Sequence, residues 1–575
     1  MNDLTVTERS PLIEQLSGAL LRLSGSTASD TVQQMTEVVL EALGEGKISV
    51  ASSVFSEQDL QVLRDASLLG SEQDFSPFVE SNDCVYLARY FHYNKQLQER
   101  LISLAAPVSD IEDADAQRAM LDRLFPDDPR LVEAGIPNWQ KVAAALALLK
   151  QFCVISGGPG TGKTTTVLKL LAALYSSAGA GHELKVRLAA PTGKAAARMQ
   201  ESIRSGVDAL DCDDATKAEL RDLKASTLHR LLGYKPNSVQ FRHTAANPLA
   251  LDILVVDESS MIDSTMMAKL LDAVPKHARV LLLGDKDQLP PVEPGSPFTD
   301  ICLQYGFTEL VKDTLETLSG INVDATPSKQ PLADNIVFLR HSFRFGADSG
   351  IGRLAAAINA SDSKSAKQLM ADPSLADIAW ADYNAKECRS FDSVEQDPVV
   401  KRIQAGYAVY LGALNARESV DAITKAFDAF CVLVATNKGF NGLDTINKLS
   451  QKALGFYTEE TWYHGRPVMI TSNDYQTKLY NGDLGLCLDI EGTGDLRVYF
   501  QSEEGFRDFN CSRIPTHQTA FAMTVHKSQG SEFSDVLFLL PDGDSKVLSK
   551  ALIYTAVTRA KERVEIWGKQ LVFRE

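Results

Sequence analysis

From about residue 136 onward, short apolar runs alternate with stretches of helical spacing. The first runs read FCVIS, KVRLAAP, LDILVVDE and RVLLLGD, and each is apolar along most of its length. A strand of a parallel sheet is buried on both faces, so it carries a continuous apolar run rather than an alternation. Helical stretches between such strands indicate βαβ units. The pattern therefore predicts an α/β fold built on parallel sheets.

Two α/β units are predicted, the first over residues 111–335 and the second over 336–575, where AFCVLVATN and FSDVLFLLP are strands. In the first unit, the Pro and Asn residues of YKPNSVQFRHTAANPLALD favour a small hairpin near 233–250. Residues 313–335 have the composition of a surface loop or linker. In the second unit, residues 450–515 break the alternation. Their short β-type runs predict a small inserted β-barrel.

The first 110 residues differ from the rest of the chain in pattern and in charge. Apolar residues recur at helical spacing in LIEQLSGALLRL and VQQMTEVVLEAL, which predicts a mostly helical domain over 1–110. This segment carries 7 Lys and Arg against 16 Asp and Glu, and the whole chain has a net charge of −17. An acidic surface repels polyanions, so we expect this domain to dock a protein partner. Nucleic acid can still bind elsewhere, because a locally basic groove is enough.

The composition is that of a soluble globular protein, with 44% hydrophobic and 23% charged residues. The chain contains no run of about 18 apolar residues, so no membrane span is predicted. The first residues lack the basic start and apolar core of a secretory signal. The eight cysteines are scattered without CxxC spacing, which argues against a zinc or iron–sulfur site. We therefore expect reduced cysteines and a cytoplasmic location.

One segment fits the phosphate-binding pattern GxxxxGK[ST], and it lies between an apolar strand and the helical run VLKLLAALY. Glycines let backbone N–H groups wrap phosphates, and Lys163 supplies positive charge to the β- and γ-phosphates. The hydroxyl of Thr164 can ligate Mg²⁺. We expect ATP and Mg²⁺ to bind here. The predicted contacts are Gly157, Gly158, Pro159, Gly160, Thr161, Gly162, Lys163, Thr164 and Thr165.

About ninety residues after the phosphate-binding segment, the apolar run LVV is followed directly by two carboxylates. Asp257 is expected to hold the Mg²⁺ through water, and Glu258 to polarise the attacking water as general base. Asp-Glu after a strand is a weak signal alone, since many strands end in acidic turns. Together with the phosphate-binding loop it completes an ATPase site.

Two glutamines are further candidates. Gln288, in GDKDQLPP after a third strand, could sense the γ-phosphate and the attacking water, although this segment could equally be a polar turn. Gln140, just before the helix KVAAALALLK, could make two hydrogen bonds to an adenine edge. A lone Gln is usually a surface residue, so this assignment depends on the segments that follow.

The order of segments resembles that of the superfamily-1 helicases, and within them the branch that moves 5′→3′. The resemblance extends across residues 136–563 and is far more specific than any single segment. Its elements are Gln140, GGPGTGKTTT, APTGKAA, STLHR, VVDESSM, LLGDKDQLPP, HSFRF, AMTVHKSQGSEF and YTAVTRA.

The resemblance implies two RecA-like domains with ATP between them. Arg344 and Arg559 would be arginine fingers from the second domain, where they stabilise transition-state charge. Gly530 and Glu532 lie in the segment that would bridge ATP and DNA. Single-stranded DNA would cross both domains through phosphate contacts that do not read sequence. The residues implied for DNA are Thr192, Lys194, His229, Thr524, His526 and Lys527.

Within these helicases the chain most resembles the RecD family, the alpha subunits of the RecBCD enzyme (exonuclease V). This implies RecB-like and RecC-like partners, DNA ends as substrate, and a nuclease site in a partner. Two alternatives stay open: a stand-alone 5′→3′ helicase, and a regulatory subunit with an inert ATPase site. The presence of Lys163, Glu258, Gln288 and Arg559 argues against the inert subunit.

Overall fold

The computed structural model describes residues 11–24, 29–105, 113–177, 184–236, 238–326, 328–346, 348–388, 397–456, 460–474, 476–502, 505–541, 543, 545 and 547–569. Four sheets organise these residues: a small N-terminal sheet, two parallel sheets and one antiparallel sheet. The predicted α/β class with two parallel sheets is therefore confirmed. No described helix combines the length and apolarity needed to cross a membrane.

The N-terminal region is mainly helical, as predicted, but it also contains a four-stranded sheet in the order β1-β4-β3-β2. These strands have only two to four residues each, too few for an alternation to be visible in the sequence. Asn82 and Asp83, both with positive φ, form the tight turn between β3 and β4. The elements are α1 (Pro11–Ser24), α2 (Ser29–Gly44), β1 (Ser49–Ala51), α3 (Glu57–Asp65), β2 (Leu69–Gly70), β3 (Phe78–Ser81), β4 (Cys84–Leu87) and α4 (Ala88–Leu104).

The first α/β unit has a six-stranded parallel sheet in the order β10-β5-β9-β8-β6-β7. Its strands are almost wholly buried because helices cover both faces. Its elements are α5 (Ala114–Leu124), α6 (Pro129–Glu133), α7 (Trp139–Leu149), β5 (Phe152–Gly157), α8 (Lys163–Ser177), β6 (Val186–Ala190), α9 (Gly193–Gly206), α10 (Asp214–Asp222), β7 (Ala225–Thr227), α11 (Leu228–Leu232), β8 (Ile253–Val256), α12 (Ser264–Ala273), β9 (Arg279–Gly284), α13 (Pro297–Cys302), α14 (Glu309–Ser319) and β10 (Ile336–Leu339).

Three details of this unit differ from the sequence-based predictions. The expected linker over 313–335 contains the end of helix α14, whose N-cap is Thr308 and whose apolar face packs on α5 and α7. Strand β10 pairs with β5, so residues 336–339 belong to the first sheet and not to the second unit. The expected hairpin near 233–250 is reduced, in its described residues, to one antiparallel bridge between Thr244 and Asn247.

The second unit has a five-stranded parallel sheet in the order β11-β20-β19-β12-β18, interrupted by an antiparallel sheet in the order β16-β15-β14-β13-β17. The predicted small β insert is confirmed, although its described pairings form an open sheet rather than a closed barrel. Its elements are α15 (Gly350–Asn359), α16 (Ser363–Ala371), β11 (Ile378–Asp382), α17 (Ala385–Cys388), α18 (Pro398–Gly406), α19 (Ala408–Asn415), α20 (Val420–Asp428), β12 (Phe430–Val434), α21 (Leu443–Ala453), β13 (Arg466–Ile470), β14 (Leu484–Leu488), β15 (Arg497–Ser502), β16 (Gly505–Asn510), β17 (His517–Thr519), β18 (Ala522–Thr524), β19 (Phe533–Leu539), α22 (Lys550–Val557) and β20 (Ala560–Gly568).

The two parallel sheets meet with opposite ends facing each other. The loops after β5, β8, β9 and β10 come from the carboxyl edge of the first sheet. The segments just before β19 and β20 come from the amino edge of the second sheet. Side chains from both edges line one cleft. The fold thus brings together residues that lie up to four hundred positions apart, from Pro159 to Arg559.

Candidate nucleotide cleft and nucleic-acid face

The phosphate-binding loop connects β5 to α8 and depends on two glycines with left-handed φ. Gly160 has φ 75° and Gly162 has φ 79°. A Cβ at Gly160 would overlap the Cβ of Arg344, and one at Gly162 would overlap the amide of Gln140. Lys163 Nζ donates to the carbonyl oxygens of Gly157 at 2.7 Å and Gly158 at 3.2 Å. The lysine therefore already lies along the loop it would serve.

A cleft of about 230 Å³ lies against this loop, and all six predicted catalytic side chains line it. Gly530 and Glu532 also line it, whereas Gly157, Gly158 and Gln140 are not among its lining residues. The complete lining is Pro159, Gly160, Thr161, Gly162, Lys163, Thr164, Thr165, Ala195, Arg198, Met199, Ser202, Asp257, Glu258, Gln288, Arg344, Gly530, Glu532 and Arg559.

The two carboxylates after β8 are held in different ways. Burial, and to a smaller extent the neighbouring Glu258 carboxylate, raise the pKa of Asp257 to about 6. The Asp257 Oδ1 accepts a hydrogen bond from the backbone N–H of Glu258 at 2.8 Å. Glu258 has φ 50°, a left-handed conformation that is costly for a residue with a Cβ. This strained backbone directs two adjacent carboxylates toward one cleft.

Gln288 follows β9 and is almost completely buried. Its Nε2 donates to Asp285 Oδ2 at 3.0 Å, and Asp285 is also buried. A carboxylate oxygen can only accept, so the amide oxygen of Gln288 is the end left for the cleft. Gln288 therefore lines the cleft, and its predicted role toward the γ-phosphate and the attacking water stays a prediction.

Two arginines complete the cleft, but they come from different sheets. Arg559 comes from the second sheet, as predicted, whereas Arg344 follows β10 of the first sheet, so its predicted origin in the second domain is wrong. Arg344, in the loop after β10, donates to Glu532 Oε1 at 2.7 Å, while its Nη1 is buried without a hydrogen-bond partner among the described residues. Arg559, between α22 and β20, is 2% exposed and donates to the Ser531 carbonyl oxygen at 3.1 Å. Both arginines line the cleft, and the Cβ of Arg344 lies directly beside Gly160 of the phosphate-binding loop.

Arg198 is a cleft residue that sequence reasoning missed. It lies on α9, one turn after Lys194, and donates to Glu532 Oε2 at 2.6 Å and to the Gly530 carbonyl oxygen at 2.8 Å. Burial alone would raise the pKa of Glu532, but the guanidiniums of Arg198, Arg344 and then Arg559 lower it to about 2. Arg198 could have been found from the sequence because it lies four residues after Lys194, on the same face of the predicted helix.

Gln140 contacts the backbone of the phosphate-binding loop. Its Nε2 donates to the Thr161 carbonyl oxygen at 2.9 Å, so its amide supports the loop backbone in this structure. The HSFRF segment supports the same loop, since Phe343 N donates to Gly160 O at 2.8 Å and Ser342 Oγ to Pro159 O at 3.1 Å. An adenine contact from Gln140 stays a prediction.

The candidate DNA residues of the first unit follow the carboxyl ends of β6 and β7. Thr192 caps helix α9, with its Oγ1 accepting from Ala195 N at 3.2 Å. Lys194 Nζ lies 5.7 Å from the centre of the Phe533 ring in the second unit. His229 packs edge-on against Phe241, and burial lowers its pKa. At neutral pH His229 is therefore a neutral hydrogen-bonding group rather than a cation.

The candidate DNA residues of the second unit follow the carboxyl end of β18. Thr524 is buried and accepts weakly from Lys527 N at 3.4 Å, and burial lowers the pKa of His526. Lys527 Nζ donates to Asn481 Oδ1 of the β insert at 2.6 Å. These groups are therefore partly covered by another part of the chain.

The covering segment is the loop 480–483 of the β insert, which sequence reasoning did not identify. Asn481 contacts Lys527, and a Cβ at Gly193 would lie 3.4 Å from Asp483 Oδ1. The loop therefore lies between the first residue of α9 and the segment after β18. No local pattern predicts this contact, because it joins three elements that are distant in the sequence.

Comparison with known proteins gives two family matches and a set of relatives. The family model described as AAA domain matches residues 140–294, and the one described as UvrD-like helicase C-terminal domain matches residues 519–566. These ranges contain the phosphate-binding loop and both segments that supply Glu532 and Arg559.

Curated relatives extend over most of the chain. The RecBCD enzyme subunit RecD of Haemophilus influenzae is 36% identical over 480 residues, which cover 79% of this chain and 71% of the relative. The same subunit of Mycolicibacterium smegmatis is 37% identical over 501 residues, covering 86% and 79%. The ATP-dependent RecD2 DNA helicase of Deinococcus radiodurans is 32% identical over 441 residues, covering 76% of this chain and 49% of the relative.

Proposed function

The chain belongs to the RecD family, and on this premise we propose that it is an ATP-dependent 5′→3′ DNA helicase. We further propose that it is one motor of a RecBCD-like helicase and nuclease that processes double-strand DNA ends for recombinational repair. The observation that carries the proposal is the single cleft in which Arg559, from the amino edge of the second sheet, faces side chains from the carboxyl edge of the first. Those side chains are Lys163, Glu258, Gln288 and Arg344.

The residues of the cleft fit ATP. The left-handed glycines leave room where any Cβ would collide, and the buried Nη1 of Arg344 has no protein partner among the described residues. Lys163 binds the β- and γ-phosphates, and the amide oxygen of Gln288 orients the attacking water. Glu258 takes the proton from that water, and Arg344 and Arg559 stabilise the developing negative charge.

The same residues fit Mg²⁺, for which the Thr164 hydroxyl and the Asp257 carboxylate are the candidate ligands. Bound with the nucleotide, the ion neutralises phosphate charge. Asp257 is buried and its pKa is raised by burial and by Glu258, which is the environment of a carboxylate that a cation would stabilise.

The proposed movement along DNA depends on Arg559, which reaches the cleft from the second sheet. Hydrolysis requires Arg559 to stay against the first sheet, so ATP favours a closed cleft and its products an open one. Thr192, Lys194 and His229 would hold one part of a strand, and Thr524, His526 and Lys527 the next. Opening and closing then change the distance between the two sets of contacts, which moves the protein along the strand.

The partners follow from the family and from the chain's charge. RecB-like and RecC-like subunits are the proposed partners, and the acidic N-terminal region is the proposed docking domain. The matched RecD subunits correspond to this chain over more than two thirds of their length, whereas the matched RecD2 helicase does so over about half. The identity is also higher to the RecD subunits, at 36% and 37%, than to the RecD2 helicase, at 32%, which favours the subunit over the stand-alone helicase.

DNA-stimulated ATP hydrolysis and unwinding of tailed duplexes test the proposal. We expect the full chain to hydrolyse ATP and to unwind 5′-tailed but not 3′-tailed duplexes, and Lys163→Ala to abolish both activities. Lys312→Ala is the matched control, because Lys312 lies on α14 away from the cleft.

Three outcomes would contradict parts of the proposal. Equal ATPase rates for Lys163→Ala and the unmodified chain would mean that the site is wrong. Unwinding of 3′-tailed duplexes would overturn the polarity. Stable and processive unwinding by the chain alone, without co-purification of two large subunits, would favour the stand-alone helicase.

A further inference from the structure

A tyrosine of the second unit lies beside the phosphate-binding loop and is not used in the mechanism above. Tyr554 is on helix α22, five residues before Arg559, and only 4% of it is exposed. A Cβ at Gly158 would lie 3.0 Å from its hydroxyl oxygen. The phenol therefore crosses from the second unit to the first at the edge of the nucleotide cleft.

The Tyr554 hydroxyl donates to the same carboxylate oxygen that holds Gln288. Asp285 Oδ2 accepts from Tyr554 Oη at 3.0 Å and from Gln288 Nε2 at 3.0 Å. The other oxygen, Oδ1, accepts from Asp287 N at 3.1 Å. Burial raises the pKa of Tyr554 well above its ordinary value, and the Asp285 charge adds to this, so the hydroxyl stays a donor. All three side chains are buried, where hydrogen bonds are strong and their loss is costly.

Two further hydrogen bonds fix the same junction between the units. Leu289 N donates to Thr555 Oγ1 at 2.9 Å, and Gln529 Nε2 donates to Leu289 O at 3.1 Å. The Leu289 side chain, from the first unit, packs in the apolar core of the second. The segment that carries Asp285 and Gln288 is therefore held by α22 only while the two units are together.

We propose that Tyr554 is a positioning residue that makes the orientation of Gln288 depend on closure of the cleft, acting through Asp285. When the units are closed, the hydroxyl fixes the Asp285 carboxylate, which holds the Gln288 nitrogen and leaves the amide oxygen to the attacking water. When they separate, Asp285 loses this donor and Gln288 loses its fixed orientation. Hydrolysis is thereby restricted to the closed state by a second contact, independent of the arginines.

The inference rests on the proposed ATPase function, and a double-mutant comparison tests it in the full chain, purified with its partner subunits where they form a complex. We expect Tyr554→Phe to lower the kcat of DNA-stimulated ATP hydrolysis about fivefold, the effect of losing one positioning hydrogen bond, with KM for ATP changed less than twofold. In a Gln288→Ala background, Tyr554→Phe should have no further effect on kcat.

Tyr410→Phe is the matched control. Tyr410 is equally buried in the second unit, and its hydroxyl donates to the Gly465 carbonyl oxygen at 2.9 Å, far from the cleft. We expect both tyrosine variants to lower the melting temperature by similar amounts, but only Tyr554→Phe to lower kcat. If Tyr554→Phe does not fold, Asp285→Asn provides the same comparison with Gln288→Ala.

The results separate this inference from the proposed function. No ATP hydrolysis by the unmodified chain would contradict the proposed function itself. An active chain in which Tyr554→Phe has the wild-type kcat would overturn only the role of Tyr554. So would a double variant whose loss is the product of the two single losses, because the two residues would then act independently.

Discussion

The nucleotide cleft and the candidate nucleic-acid face each contain a largely buried carboxylate, and the two carboxylates behave in opposite ways. The nucleic-acid face comprises the loop 480–483 and the predicted DNA residues Thr192, Lys194, His229, Thr524, His526 and Lys527. In the cleft, three guanidiniums hold the pKa of Glu532 at about 2 in spite of its burial. On the nucleic-acid face, burial raises the pKa of Asp483 to about 6, although the Tyr480 backbone N–H and the Arg507 guanidinium act to lower it. The cleft carboxylate is thus paired with cations before any ligand arrives, whereas the pKa of Asp483 is set mainly by burial.

This difference indicates how each region would respond to its ligand. The cleft already contains a network of cations and a carboxylate, so ATP enters a preorganised site. The face has its cations engaged elsewhere, with Lys527 on Asn481 and Lys194 over Phe533. A DNA strand must replace these internal contacts. We therefore expect cleft variants to change rates strongly and face variants to change affinity modestly.

The largest effect is expected from Glu258→Gln, which keeps the size of the side chain but removes the general base. General-base catalysis contributes about 10² to 10⁴-fold, so kcat for ATP hydrolysis should fall about 10³-fold while ATP and DNA still bind. Steady-state kinetics and fluorescent-nucleotide binding measure the two quantities. Glu316→Gln on α14 is a control at a distance from the cleft. A loss below tenfold would mean that another group acts as the base.

The next effect is on stability, through Glu532. Because its pKa is lower in the folded protein than in the unfolded chain, ionised Glu532 stabilises the fold above about pH 4.5, and this stabilisation is lost as the pH falls toward 2. Glu532→Gln should lower the free energy of unfolding by about 3 kcal/mol at pH 7. Denaturant titrations at pH 7 and pH 3.5 should show this gap narrowing at the lower pH.

The exposed Glu57 is the control for Glu532, since it pairs with Arg64 at the surface. Glu57→Gln should leave the free energy of unfolding unchanged at both pH values. A Glu532 variant as stable as the wild type at pH 7 would show that the guanidiniums of the cleft do not need this carboxylate. The contrast between the two regions would then be lost.

On the nucleic-acid face, Lys527→Ala should weaken single-strand binding about tenfold at low salt. It should also reduce the dependence of log K on log salt by about 0.7, the value for one phosphate contact on a single strand. Fluorescence anisotropy with an unstructured oligonucleotide measures both, with Lys312→Ala as control. An unchanged salt slope would mean that Lys527 bonds to Asn481 and not to a phosphate in the complex.

The smallest effect is expected from Asp483→Asn. Asp483 lies near the first residue of α9, where a carboxylate and a DNA phosphate would repel each other. Removing its charge should strengthen single-strand binding about threefold at pH 8. Because the wild-type pKa is raised to about 6, Asp483 becomes neutral below that pH, and the difference should vanish at pH 5. Weaker binding at pH 8 would mean that Asp483 helps to hold DNA.

The sequence by itself determined the elements whose information is local. Continuous apolar runs predicted both parallel sheets, and the spacing of Gly157 to Thr164 predicted the phosphate-binding loop, because a backbone that wraps phosphate needs glycine at fixed positions. Six side chains predicted as catalytic line one cleft, although their roles stay predictions. The short N-terminal strands and β10 were missed or misassigned because two to four residues give no readable period.

Only the tertiary structure decided how distant residues combine. Arg198 meets Glu532 across the cleft, Tyr554 reaches Asp285, and Asn481 covers Lys527. Each contact joins residues from 46 to 334 positions apart. Such distances are set by which sheet edges face each other, and that depends on the packing of whole units. A hydrogen bond or an ion pair between two distant residues produces no periodic pattern in the sequence. The sequence therefore shows which side chains are present but not which ones contact each other.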